Sequence, residues 1–310
     1  MTTPHPLPDA LSTVERRGAG DAPGIRNARF WHQLRAVARH PSGRFGLLLI
    51  APVLILAIAG PLVIHWDPIQ INPTDSLQGP SAQHWFGTDQ LGRDLAARVV
   101  SAIPVVIWVP LGAVLLAVTA GSAVGILAGY RRGWLERVLM AGTDVLLAMP
   151  GLLTAILIVG VFGGGSRNMI LAIGVIYLPR FTRIARGSTL EVRGLPYVDA
   201  ARLSGTKPLA LVTRHILPGI SSPLFVMCVL SLSTGLLVQT ALSFLGFGFE
   251  PPTADLGRML ANSVDFLTLA PWMAISPALV ITLLILAFNN LGDAVRDVMD
   301  PEVARSAGAV

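Results

Sequence analysis

Few side chains in this 310-residue sequence could do chemistry, and they stand apart from one another. The histidines are His5, His32, His40, His65, His84 and His215, and His-Glu-x-x-His is absent, so no zinc-protease site is spelled out. His65 and His84 flank one polar stretch, where a lone imidazole is ordinarily a solvated side chain. Cys228 is the lone cysteine, which rules out an intrachain disulfide and a cysteine-based metal site. A phosphate-cradling loop needs Gly-x-x-x-x-Gly-Lys followed by Ser or Thr. The only lysine, Lys207, stands between Thr206 and Pro208 instead. No Gly-x-Ser-x-Gly marks a nucleophile. The expectation is a chain with no catalytic residue, no metal site and no cofactor of its own.

The acidic residues nearest the apolar tracts are Asp144 and Asp293, both at tract ends. Two shallow carboxylates make a poor proton relay. They read as structural partners of Arg137 and Arg296. Gln239, Asn289 and Asn290 are neutral and polar inside apolar surroundings. Such residues line a path or bond helices together, and helix-to-helix bonding is the commoner role.

The most organised polar stretch is Pro196 to Pro218, PYVDAARLSGTKPLALVTRHILP. Pro196 suits a first helical position, because its missing N–H would be unpaired there. Gly205 follows where a left-handed residue usually stops a helix. Thr206 is placed to cap a second segment, with Pro208 in its first turn. Leu209, Val212 and Ile216 give that segment an apolar stripe, and Pro218 is expected to close it. The pattern is a compact helix–Gly–helix of the kind a partner grips.

The surrounding elements are apolar. The chain is 53% hydrophobic and 13% charged with a mean hydropathy of +0.64, against about 25% charged in soluble domains. It reads as an all-α polytopic membrane protein. Six apolar tracts cover 45–66, 104–130, 138–162, 168–185, 219–244 and 271–292. The first spans roughly 33 Å as a helix, enough for a hydrocarbon core of about 30 Å. Bilayers supply no water to the backbone, so each tract should be helical. Pro52, Pro61, Pro110 and Pro150 imply kinks. Gly121, Gly125 and Gly129 form small-xxx-small pairs suited to close helix approach, within the subunit or against a second one.

Arginine placement sets the orientation. Of the 23 basic residues, 19 fall in residues 1–44, 131–137, 180–214 and 296–310, and four in the alternate segments. Basic residues favour the cytoplasmic side, so both termini and the 180–218 loop belong there. The +5 net charge therefore reflects topology rather than nucleic-acid binding. The expected organisation is a disordered tail at 1–28, an interfacial amphipathic helix at 29–43 and a first span at 44–66. An external loop at 67–103 follows, then a five-span core at 104–302 with a cytoplasmic loop at 186–218, and a tail at 303–310. No cleavable signal peptide is expected, because the first apolar run starts too late and runs too long. In the external loop Thr88 or Asp89 is placed to cap a helix entering the second span, with Asp94 and Arg98 spaced to pair.

Asp199-Ala200-Ala201, then Gly205, then His215 and Leu217-Pro218 resemble the EAA loop of ABC importer permeases, with Asp199 where Glu is usual. Three further runs, residues 85–94, 242–260 and 288–301, resemble the dipeptide/oligopeptide/nickel subfamily of these permeases. The order and spacing match from about Arg44 to Pro301. Leu256 departs from a usual Trp, and Gln239 from a common acidic residue. The resemblance implies the second of two permease subunits of a type I importer in the inner membrane, with six spans. It implies a second permease, two ATPase subunits that bind ATP and magnesium, and an external substrate-binding protein. It assigns ATPase coupling to Asp199, Ala200, Ala201, Arg202, Gly205, His215, Leu217 and Pro218. Phe86, Gly87, Asp89, Gly92, Arg93 and Asp94 become candidates for docking the external protein. Gln239, Asn289 and Asn290 become candidates for the substrate path. Short peptides are the implied substrate, with nickel chelates or haem as alternatives.

Overall fold

The computed structural model describes residues 35–299. The expected tails at 1–28 and 303–310 lie outside the described residues, as does the first part of the expected helix at 29–43. Within that helix, residues 35–39 are helical, the chain bends at His40, and Val37 is buried against Ala294 and Val295.

Ten α-helices carry the described fold. Helix α1 (Pro41–Val63) starts at a proline that occupies its first turn. Helix α2 (Leu95–Arg131) absorbs the end of the expected external loop and runs 37 residues. Helices α3 (Gly133–Ala148) and α4 (Gly151–Phe162) meet at 90°. Helix α5 covers Ser166–Arg193, α6 Pro196–Leu203, and α7 Pro208–Leu211. Helix α8 (Leu217–Phe244), α9 (Leu256–Ser263) and α10 (Trp272–Met299) complete the order. Five continuous helices are long and apolar enough to cross a membrane, and there are six if the bent pair α3–α4 counts as one span. Among the described residues there is no strand, only an isolated bridge from Thr88 to Asp94.

The third tract is broken rather than kinked. Pro150 lacks an N–H and pushes the preceding residue out of the helical region. Met149 is accordingly extended, with φ −83° and ψ 134°. Pro52, Pro61 and Pro110 sit inside intact helices. The same residue type thus breaks one span and is absorbed by the five continuous ones.

The body of the fold is α2 packed along α5. Gly121, Gly125 and Gly129 form the seam. A Cβ at Gly121 would lie 2.7 Å from the Leu178 carbonyl oxygen, and one at Gly129 3.0 Å from that of Arg186. At Gly125 it would press on the Thr182 carbonyl. The small-residue seam therefore joins two helices of one subunit. One apolar cluster fills this inner region around Ile173, Tyr177 and Phe181 and reaches down to Val198 and Ile216. A second, around Ile103, Leu236, Leu256 and Leu284, holds α1, α2, α8, α9 and α10 together.

Candidate functional site

The Pro196–Pro218 stretch is built on a few anchors. Val198 and Ile216 are fully buried and Leu211 is 1% exposed, all in the cluster that holds α5. Helix α6 begins with Pro196 and ends at Leu203, and Gly205 just past it has φ +78°. The Thr206 N–H donates to the Ala201 carbonyl at 3.2 Å, and the Gly205 N–H to that of Arg202 at 3.1 Å. Those two bonds satisfy carbonyls the helix end would leave open, in the arrangement known as a Schellman motif. Gly205 fits because a left-handed residue costs glycine nothing sterically.

The second half departs from expectation twice. Lys207, not Thr206, occupies the cap position, and no side chain caps the helix. Pro218 does not close the segment. Residues Val212–Ile216 form a wide turn in which the Leu217 N–H donates to the Val212 carbonyl, and the helix continues into α8. Pro218 can donate nothing to the Arg214 carbonyl and its ring would press on it. One wider turn relieves both problems, as such turns do inside helices. Pro208 to Phe244 is therefore one 37-residue rod, about 55 Å long at 1.5 Å per residue. The wide turn also rotates the expected stripe: Leu209 is 76% exposed while its neighbour Leu211 is buried.

The expected coupling residues divide by environment. Asp199 and Arg202 face solvent and pair with each other at 3.1 Å. Ala200 is exposed, whereas Ala201 packs half-buried against the core. The His215 ring, in the Val212–Ile216 turn, lies 6.4 Å from the Tyr197 ring of α6. Leu217 and Pro218 are exposed at the base of the rod. Leu203, 89% exposed, and Leu209 are the apolar tips of this face; sequence reasoning passed over Leu203 and placed Leu209 on the segment's apolar stripe. The signal was available: Leu203 lies five positions beyond Val198, which puts it on the opposite side of a helix.

The 67–103 stretch, expected to be external, has the reverse character. His84 Nδ1 meets Asp94 Oδ2 at 2.9 Å, and both side chains are buried. The His84 ring is thus a buried partner, not the solvated loop imidazole its setting suggested. Asp94, rather than Thr88 or Asp89, caps α2 by accepting from the Ala97 N–H at 2.7 Å. Asp94 does not pair with Arg98. Arg98 instead faces Asp89 at 3.8 Å and donates to the Pro68 carbonyl at 3.1 Å. Asp89 also accepts from Arg93 Nε at 2.6 Å and from the Leu91 and Arg93 N–H groups. Of the expected docking candidates, Gly87, Asp89, Gly92 and Asp94 are buried, and Arg93 is largely so. Phe86 lines a cavity of about 380 Å³ with Trp85 and Trp272. The carboxylates here build the loop instead of presenting it.

Asp144 pairs with Arg183 at 2.7 Å rather than with Arg137. At the end of α10 it is Asp297, not Asp293, that has a side-chain partner: its Oδ2 lies 3.7 Å from His40 Nε2. His40 was not foreseen as a partner.

Residues 121–305 match the family described as "Binding-protein-dependent transport system inner membrane component". The chain belongs to this family. It is an inner-membrane permease component of the ABC type, with several spanning helices. The glutathione transport system permease protein GsiD of Pectobacterium atrosepticum is 38% identical over 276 residues, covering 89% of this chain and 89% of the relative. The dipeptide transport system permease protein DppC of Alkalihalophilus pseudofirmus is 36% identical over 258 residues, covering 83% and 85%. The family match takes in the seam glycines, the Pro196–Pro218 stretch and the rod into α8, and begins after the outer loop.

Within this permease component the three path candidates separate. Gln239 is buried on α8 and donates to the Val105 carbonyl of α2 at 3.4 Å, while its Oε1 has no partner among the described residues. Asn289 is exposed, and Asn290 returns its amide to the Leu286 carbonyl one turn back, at 2.7 Å. Gln239 stands on α8 and the adjacent Asn289 and Asn290 on α10, and each side-chain bond described runs to backbone rather than to another candidate. Gln239 is a helix-to-helix bond with one acceptor to spare.

Proposed function

We propose that the chain is one of two permease subunits of an ATP-driven importer for short peptides. Support for the substrate class comes from relatives whose names give dipeptides and glutathione, both short peptides. The proposed partners are a second permease, two ATPase subunits that bind ATP and magnesium, and an external substrate-binding protein. The observation that carries the coupling role is the rod from Pro208 to Phe244, which joins an exposed helix pair to a span without a break.

The mechanism follows from that continuity. The ATPase grips the face formed by Leu203, Leu209, Tyr197, Asp199 and Arg202. Movement there cannot dissipate in a loop, because Val198, Leu211 and Ile216 are locked into the core. It turns α8, whose far end carries Gln239 against α2. Alternating access is the expected consequence: the path opens outward to take peptide from the binding protein, then inward to release it. Asp199, already paired with Arg202, contributes a surface charge to this contact rather than a long reach.

The test is uptake of labelled di- and tripeptides by vesicles holding the assembled transporter, with nickel and haem as competing arms. ATP-dependent peptide accumulation supports the reading. Accumulation without the ATPase, or of nickel or haem alone, overturns it.

A further inference from the structure

Helix α3 is attached to the rest of the subunit unlike any other long helix in the fold. Its one buried residue is Thr143, and the Thr143 hydroxyl is returned to its own helix at the Leu139 carbonyl, 2.8 Å away. Trp134, Val138 and Val145 are all more than half exposed. Apolar burial therefore does little to fix α3 against the body. Its two ends are joints. At the start, Arg132 has φ +54° and Gly133 φ +75°. At the end lies the extended Met149–Pro150 link and the 90° turn into α4. Helix α4, by contrast, is held by apolar packing through Ala155 and Val159.

Two ion pairs make the side-chain ties from α3 to α5. The Arg186 guanidinium holds Glu136 Oε1 through Nε at 2.6 Å and through a terminal nitrogen at 2.5 Å. Arg183 holds Asp144 at 2.7 Å. The carboxylates are eight residues apart on α3, about 12 Å along the axis, and the arginines three apart on α5, about 4.5 Å. The two guanidiniums thus fan out from one turn of α5 to grip two turns of α3. Helix α5 is itself rigidly tied. The glycine seam fixes it to α2, and Arg193 at its end donates to the Tyr130 carbonyl at 2.9 Å. Gly194 and Leu195 then lead directly into α6.

We infer that Glu136–Arg186 and Asp144–Arg183 are positioning pairs that make the broken span follow the coupling helix. This rests on the coupling role proposed above for α6 and α7. Motion imposed on α6 enters α5 through the Gly194–Leu195 link. It reaches α3 through the two charged pairs, because packing and backbone at either end leave α3 free to turn. The pairs therefore set the angle of α3 relative to α5 in every state of the cycle.

The test uses the complete transporter with Cys228→Ser and spin labels at Val145→Cys on α3 and Glu191→Cys on α5. One narrow distance with and without ATP is expected. Glu136→Arg with Asp144→Arg should broaden that distance and lower peptide uptake per ATP about threefold, since the half-buried Glu136–Arg186 pair and the exposed Asp144–Arg183 pair both become like-charge repulsion. Adding Arg186→Glu and Arg183→Asp should restore both readings. A wild-type distance that shifts with nucleotide overturns the inference. So does a reversal that leaves distance and uptake unchanged, or a swap that recovers neither. Leu203→Asp with Leu209→Asp separates the two ideas. If that variant transports normally, the coupling role itself fails. If it is inactive while the charge reversals transport normally, only the positioning pairs are overturned.

Discussion

The two ends of this permease component treat charge in opposite ways. At the outer end Asp89, Asp94, His84 and Arg98 are buried and bonded to one another or to backbone. Asp255 likewise caps α9 by accepting from the Gly257 N–H at 2.9 Å. At the inner end Asp199 and Arg202 lie in the open, beside leucines that are 89% and 76% exposed. In the 84–98 stretch the charged groups have partners that hold the loop in place. The inner end is unfinished, with apolar tips outward and a capped backbone beneath. Buried charge with saturated bonds signals scaffold, and exposed apolar residues on a rigid mount signal a partner.

Substitutions that break this contrast should differ in size. The largest effect is expected from Asp94→Ala, which strips the cap from α2 and leaves His84 without its partner. A loss of about 3 kcal/mol is expected, read as a clear fall in melting temperature in detergent. An unchanged melting temperature would mean the outer network is ornamental. Gly125→Val comes next. Its side chain must displace the Thr182 carbonyl, and overpacking of this kind costs about 1–3 kcal/mol, seen as weaker α2–α5 association in the same assay. Gly205→Ala is smaller. Nothing lies within 4 Å of the added carbon, so only the left-handed backbone is penalised, by about 1 kcal/mol. The smallest stability change belongs to Leu203→Asp, within about 0.5 kcal/mol for an exposed position. The comparison predicts that this last variant, nearly silent in stability, is the one that damages transport.

Much of the fold was legible because membrane helices announce themselves by length and apolarity. The arginine bias gives their expected orientation, and Gly205 marked its own turn. The break at Pro150 was not legible as a break. Pro52 and Pro110 read the same way, and only the packing around each decides whether a helix survives. Asp94 and Arg98 had the right spacing to pair, yet burial offered each a different partner across the fold. The Val212–Ile216 turn left no mark in the periodicity except the Leu209 it turned outward. Ala201, one of the expected coupling residues, packs against the core. A bulky residue there would disturb α6 itself, so Leu203 and Leu209 are the cleaner sites.

The central claim is that the face at the foot of the Pro208–Phe244 rod transmits ATPase motion to the spans. Its most direct test is ATP-driven peptide uptake by vesicles holding the assembled transporter with Leu203→Asp and Leu209→Asp together. Removing two apolar anchors from a docking face should lower uptake by about tenfold or more while the variant melts like the unmodified protein. Uptake at the unmodified level would contradict the claim.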